Sequence, residues 1–222
     1  MNKRKYLNLF SALYVTAIIA SIATIYQTDT VMGVTVSSSL YIFPISYLIG
    51  DIVAELYGYK NAKATVWLGI LCEILFVILV NTTVLIHGQY SQEDFFYKHY
   101  YIWLARAAAS NIIPMMISEL INVYLISRWK LWTQGKYFWL RSIGSTSCST
   151  AIYLIIAAFI GFSGTLDSYS IFKLIIVSYI FKILCAVILS FIGSIIVFYL
   201  KEKGVGAQNE VTININPFKK QE

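Results

Sequence analysis

Apolar residues run along this chain in long blocks, without the period of a half-buried soluble helix or strand. Blocks of roughly 20 such residues recur at about 7–27, 38–58, 64–86, 103–127, 142–163 and 171–199, each long enough as a helix to cross a hydrocarbon core of ~30 Å. Short polar breaks separate them. The pattern predicts an all-α integral membrane protein, a bundle of six transmembrane helices in one domain over residues 1–203, with a flexible tail at 204–222. The last block exceeds the need of the membrane, so it tilts or extends beyond it. The first follows Lys3, Arg4 and Lys5 and has some look of a signal peptide. No small-residue cleavage site stands at a suitable place after it, so it reads as a retained helix.

Composition agrees. The chain is 58% hydrophobic and 13% charged, with mean hydropathy +0.69, whereas a soluble domain is about a quarter charged. The basic residues supply an orientation. With the N-terminus in the cytoplasm, the inner segments hold Lys3, Arg4, Lys5, Lys60, Lys63, Arg128, Lys130, Lys136, Arg141, Lys201, Lys203, Lys219 and Lys220. The outer segments hold Lys98 and Lys173, beside Asp29, Glu93, Asp94 and Asp167. Such asymmetry puts both termini in the cytoplasm. The net charge of +6 then faces anionic headgroups, and no nucleic-acid partner is expected. Tyr97, Tyr100, Tyr101 and Trp103 mark one interface, and Trp129, Trp132, Tyr137, Phe138 and Trp139 the other, where amphipathic rings prefer to sit.

Chemistry-bearing motifs are sparse. Cys72, Cys148 and Cys185 fall inside spans without metal-ligand spacing and read as packing residues. His87 and His99 lie in the longest outer segment, 87–100, which reads as a surface turn. No GxxxxGK[ST] phosphate loop, HExxH or GxSxG occurs, so no cofactor, metal or catalytic residue is expected. The tail contains VTININ, too short to be stable alone as a strand.

The signal lies in the polar residues inside the spans. An ionisable group facing lipid costs about 2.5–3.5 kcal/mol on insertion scales, yet Asp51, Glu55, Glu73, Glu119, Arg106 and Lys182 all fall in spans, with Asn111 and Asn122. Asp51 and Glu55 share one helix face, as do Glu119 and Asn122. If their helices are neighbours, Asp51, Glu55, Glu73, Glu119, Asn122 and Lys182 form one cluster. Blander roles stay open for some of them. Glu55 can reach headgroups or pair with Lys60 or Lys63, Glu73 and Lys182 can form an ion pair, and Arg106 can snorkel. Pro44, Gly50 and Pro114 weaken the backbone near the acids, and Pro114 is expected to kink its helix.

The run FPISYLIGDIVAELYGYK at 43–60 and the block SELINVYLISRWKLWTQGKYFWLRSIGST at 118–146 resemble the queuosine precursor transporters, also called the vitamin uptake transporter family. The resemblance extends over about residues 40–200. It implies six membrane helices in a multi-pass protein of the bacterial inner membrane, and import of 7-deazaguanine bases such as preQ0 and preQ1, or of queuine. It points to Asp51, Glu55, Tyr57 and Gly58 in the first block, and to Glu119, Asn122, Arg141 and Ser145 in the second. Where many members carry an acid or amide early in the fifth helix, this chain has Thr150 and Tyr153, a difference that bears on substrate choice.

The chemistry is consistent with that resemblance. A guanine-like base offers N1–H and an amine as adjacent donors, which a carboxylate accepts as a bidentate, charge-assisted pair. Glu119 or Asp51 suits that edge, Asn122 the carbonyl, and Tyr47 or Tyr57 a stacking platform. Glu55, Glu73, Lys182, Asn111, Arg141 and Ser145 complete the candidate substrate-binding set. The expected partners are a small purine-like substrate and the lipid bilayer, and a homo-oligomer stays open. Three other readings stay open as well: a substrate-binding subunit of an ATP-driven importer, an intramembrane enzyme, and a structural protein whose polar groups only join helices.

Overall fold

The computed structural model describes residues 3–25, 27–86, 92–162 and 167–206, with side chains omitted at 3, 83–86, 92–107 and 162. Helix α1 covers Lys3–Ala23, α2 Ser39–Ile86, α3 Gln92–Trp132, α4 Phe138–Phe162 and α5 Ser168–Glu202. Among the described residues, five helices are long and apolar enough to span a membrane. The count differs from the expected six because residues 38–58 and 64–86 join in one element. At 48 residues, α2 would measure ~72 Å if straight, more than twice a bilayer core. It is not straight: Gly58 adopts φ 80°, ψ 172°, a conformation essentially confined to glycine. The backbone turns there and divides α2 into an arm at 39–57 and an arm at 59–86.

A small hairpin joins α1 to α2, an exception to the all-α expectation. Strands β1, Thr28–Val31, and β2, Val34–Ser37, pair antiparallel with Thr28 opposite Ser37 and Val31 opposite Val34. Met32 and Gly33 form the turn with φ 50° and 73°, the positive values that match a two-residue turn to the twist of its strands. The enrichment of β-branched residues on both sides of Met32-Gly33 in TDTV-MG-VTVS is the local signal for it. Ser38 Oγ donates to Asp29 at 2.8 Å and closes its base.

Helix α3 begins at Gln92, so most of the expected outer turn at 87–100 is helix. Residues 87–91 lie outside the described residues, as do His87 and the side chains of His99, Arg106 and the aromatic group 97–103. So does the tail from 207 onward. Pro114 lies inside α3, which continues as one helical element across it.

The helices pack in sequence, α1 on α2, α2 on α3, α3 on α4 and α4 on α5, and α5 returns to α2. Small residues allow close approach where apolar surface drives no association. A Cβ at Gly69 would stand 2.5 Å from the Tyr14 ring, and one at Gly193 2.5 Å from Leu48. On α5 the buried positions Ser178, Lys182, Ala186, Ser190, Gly193, Val197 and Leu200 form one stripe, while large apolar residues such as Phe172, Leu184, Ile195 and Phe198 face outward, as lipid requires.

Candidate functional site

Two helical stripes build the polar interior. Phe43, Tyr47, Asp51 and Glu55 recur every fourth residue on the first arm of α2, and Asn111, Ser118, Glu119 and Asn122 follow helical spacing on α3; all are buried. Helix α4 faces them with Arg141, Ser142, Ser145, Ser149 and Thr150, also buried. Each turn along the α2 stripe sets a layer ~6 Å from the next.

The layer nearest Gly58 is ionic. Arg141 Nη1 donates to Glu55 Oε2 at 3.0 Å, Lys201 Nζ pairs with Oε1, and Lys130 Nζ donates to the Glu55 carbonyl at 2.8 Å. Glu55 therefore reaches neither headgroups nor Lys60 or Lys63. Arg141 also donates to the Lys136 carbonyl at 3.1 Å, near the left-handed residues Gln134, Gly135 and Tyr137 of the α3–α4 turn. This layer ties the ends of four helix segments.

One turn along, Asn122 Nδ2 donates to Asp51 Oδ1 at 2.7 Å and Ser142 Oγ to Oδ2 at 2.5 Å. Ser149 Oγ donates to Asn122 Oδ1 at 3.4 Å. Both oxygens of Asp51 thus have partners, and the amide of Asn122 is engaged at both ends. Ser145 Oγ turns back to the Ser142 carbonyl at 3.2 Å.

Glu119 forms the next layer. Ser46 Oγ donates to its Oε1 at 3.0 Å, while Oε2 is buried with no hydrogen-bond partner among the described residues. Tyr14 of α1 flanks the same face of Gly50, and its hydroxyl, which makes no hydrogen bond of normal geometry among the described residues, is turned toward the Glu119 carboxyl. Tyr47 Oη donates to Ser118 Oγ at 3.2 Å.

The farthest layer joins Asn111 Nδ2 to Glu73 Oε1 at 2.6 Å and the Tyr153 hydroxyl to Asn111 Oδ1 at 2.5 Å. Glu73 Oε2 and Thr150 Oγ1 have no partner among the described residues. The ion pair left open between Glu73 and Lys182 is not among those the structure forms. Lys182 instead sets its ammonium 4.5 Å from the centre of the Phe43 ring and 4.2 Å from that of Tyr153. Tyr57, beside the break at Gly58, packs on the core beyond Glu55, away from the Glu119 layer.

Asp51, Glu55, Glu73, Glu119, Asn111, Asn122, Tyr47, Arg141, Ser145 and Lys182 are therefore drawn together. Sequence reasoning missed Tyr14, Ser46, Ser142, Ser149 and Lys201. The serines had a faint signal, hydroxyls inside apolar spans; Tyr14 and Lys201 had none, since interfacial Tyr and terminal Lys are ordinary. Among the described residues, no group of three or more His, Cys, Asp or Glu is placed to hold a metal ion.

Long apolar helices around a buried polar core define a multi-pass membrane protein. A family model described as "Putative vitamin uptake transporter" matches residues 37–196, a stretch that includes all four layers except Tyr14 and Lys201. The chain belongs to that family of membrane transporters. It is also similar to a "Probable queuosine precursor transporter" of Bacillus subtilis (strain 168), 23% identical over 161 residues, covering 71% of this chain and 70% of that protein. No solved structure matches.

Proposed function

We propose that this chain imports a queuosine precursor, a 7-deazaguanine base such as preQ0 or preQ1 or the related queuine, across the bacterial inner membrane. One domain over residues 1–203 does so, and the break at Gly58 separates two of its six spans. Lys60 and Lys63 after the break, and Lys130, Lys136 and Arg141 around the α3–α4 turn, support cytoplasmic turns there and cytoplasmic termini.

The observation that carries the substrate reading is Glu119. Its carboxyl is fully buried, one oxygen is held by Ser46 and the other is unpartnered among the described residues. A buried acceptor left unpaired is costly, and a base presenting N1–H and an amine satisfies it. Asp51 has its partners within the chain and is assigned the floor of the site with Asn122 and Ser142. Tyr47, edge-on to Phe43 with ring centres 5.3 Å apart, is assigned an aromatic wall. A site built this way rejects bases that lack the donor edge.

Uptake of a labelled 7-deazaguanine base by cells lacking their own importer tests the reading. The wild-type chain is expected to accumulate the base unaltered, as a carrier and not an enzyme does, and Glu119→Ala, inserted to the same level, is expected to lose accumulation. Equal uptake by the two would sink the assignment.

A further inference from the structure

Lys182 is a buried amine with no ion-pair partner among the described residues. It is 5% exposed, and no carboxylate lies within ion-pair distance of it among the described residues. Its neighbours are the faces of Phe43 and Tyr153, which attract the charge but accept no conventional hydrogen bond from its three N–H donors. Burial of a charge in this state is expensive. The opposite deficiency stands on the same turn of α2: Ser46, whose hydroxyl reaches both the Phe43 carbonyl and Glu119 Oε1, links the Phe43 ring under Lys182 to Glu119, whose Oε2 makes no hydrogen bond among the described residues and has the Tyr14 hydroxyl beside it. Among the described residues, one polar core thus presents an amine with no anionic partner and a carboxylate oxygen with no hydrogen bond.

A base edge that carries a carbonyl beside N1–H and an amine is acceptor, donor, donor in order. The carboxylate takes the two donors and the ammonium takes the carbonyl. Asn122, the other candidate for the carbonyl, already donates to Asp51 and accepts from Ser149. We infer that Lys182 is a specificity-determining residue that donates to the ring carbonyl of the substrate and so selects 6-oxo over 6-amino purine-type bases. This inference rests on the transport reading above. A 6-amino base would point a donor at the ammonium and leave both unpaired, the kind of mismatch that discriminates strongly.

The test measures binding of 7-deazaguanine and 7-deaza-6-thioguanine to the purified full chain, as wild type, Lys182→Met and Lys182→Arg. The thio analogue keeps N1–H and the amine but offers a weaker acceptor. Wild type is expected to prefer the oxo base by about tenfold or more, the scale of a hydrogen bond to a charged group. In Lys182→Met the preference is expected to fall close to one, and in Lys182→Arg to persist in part. If Lys182→Met weakens both bases alike and keeps their ratio, Lys182 is structural, and the inference fails while the transport reading stands. If wild type binds neither base, the transport reading fails and this inference fails with it.

Discussion

Arg141 and Glu55 stand 86 positions apart in sequence and meet at 3.0 Å, with their side chains 2% and 0% exposed. The pair joins the start of α4 to the first arm of α2, and Lys201 extends it to α5. Removing Arg141 leaves Lys201 as the one cation paired with the Glu55 carboxylate among the described residues, so the cost stays below the about 3–5 kcal/mol of a buried charge left wholly unpaired. Arg141→Gln is therefore expected to lower the thermal midpoint in detergent. The double variant Glu55→Gln, Arg141→Gln is expected to recover part of it; a double variant no better than the worse single one would mean the two are not coupled.

Asp51 holds Asn122 and Ser142 by one oxygen each. Asn122→Asp replaces a donor with a second acid facing the first. Both cannot ionise side by side in a dry interior, so the variant is expected to be poorly folded above neutral pH and to improve as the pH falls and the pair gains a proton. Ser142→Ala removes one donor and is expected to cost about 1–3 kcal/mol. Unfolding followed across pH distinguishes them, since only the first should depend strongly on pH.

Gly58 carries φ 80°, ψ 172°, so any Cβ there is strained by about 1–3 kcal/mol. Gly58→Ala is expected to lose at least that much stability, read as a lowered unfolding midpoint. A midpoint equal to wild type would show that the turn has an alternative form.

Glu119→Gln keeps the shape of the side chain but turns one oxygen into a donor. It is expected to leave the folded yield unchanged and to reduce uptake by tenfold or more, because a charge-assisted pair is lost and a donor faces donors. Ser46→Ala, which only frees Oε1, is expected to have a smaller effect. Equal uptake losses in the two would move the base edge away from Glu119.

The topology is open to cysteine labelling in a background without Cys72, Cys148 and Cys185. Met32→Cys, on the exposed turn of the hairpin, is expected to react with an impermeant maleimide on intact cells. Lys63→Cys and Lys136→Cys are expected to react only after permeabilisation. Reaction of Lys63→Cys from outside would mean that Gly58 is not a membrane boundary.

The membrane class was legible along the chain, because runs of apolar residues long enough to span a bilayer have no other stable use, and so were the buried acids, because a charge in such a run needs a reason. The sequence placed four of the helix segments within a few residues. It did not reveal that Tyr57-Gly58-Tyr59 stays within one helical element, since a broken helix and a loop have the same composition. Nor did it show the hairpin at 28–37, whose eight strand residues are too few to stand out beside a transmembrane block. Which acid is satisfied and which is not was decided only by tertiary packing. Asp51 looked the neediest along the chain, yet α3 and α4 bring it Asn122 and Ser142, while among the described residues Glu119 has a hydrogen bond on one oxygen, from Ser46. Glu55 looked peripheral, yet the fold surrounds it with Arg141, Lys130 and Lys201. Hydrogen bonding depends on neighbours tens of residues away, and only the packing of the helices chooses those neighbours.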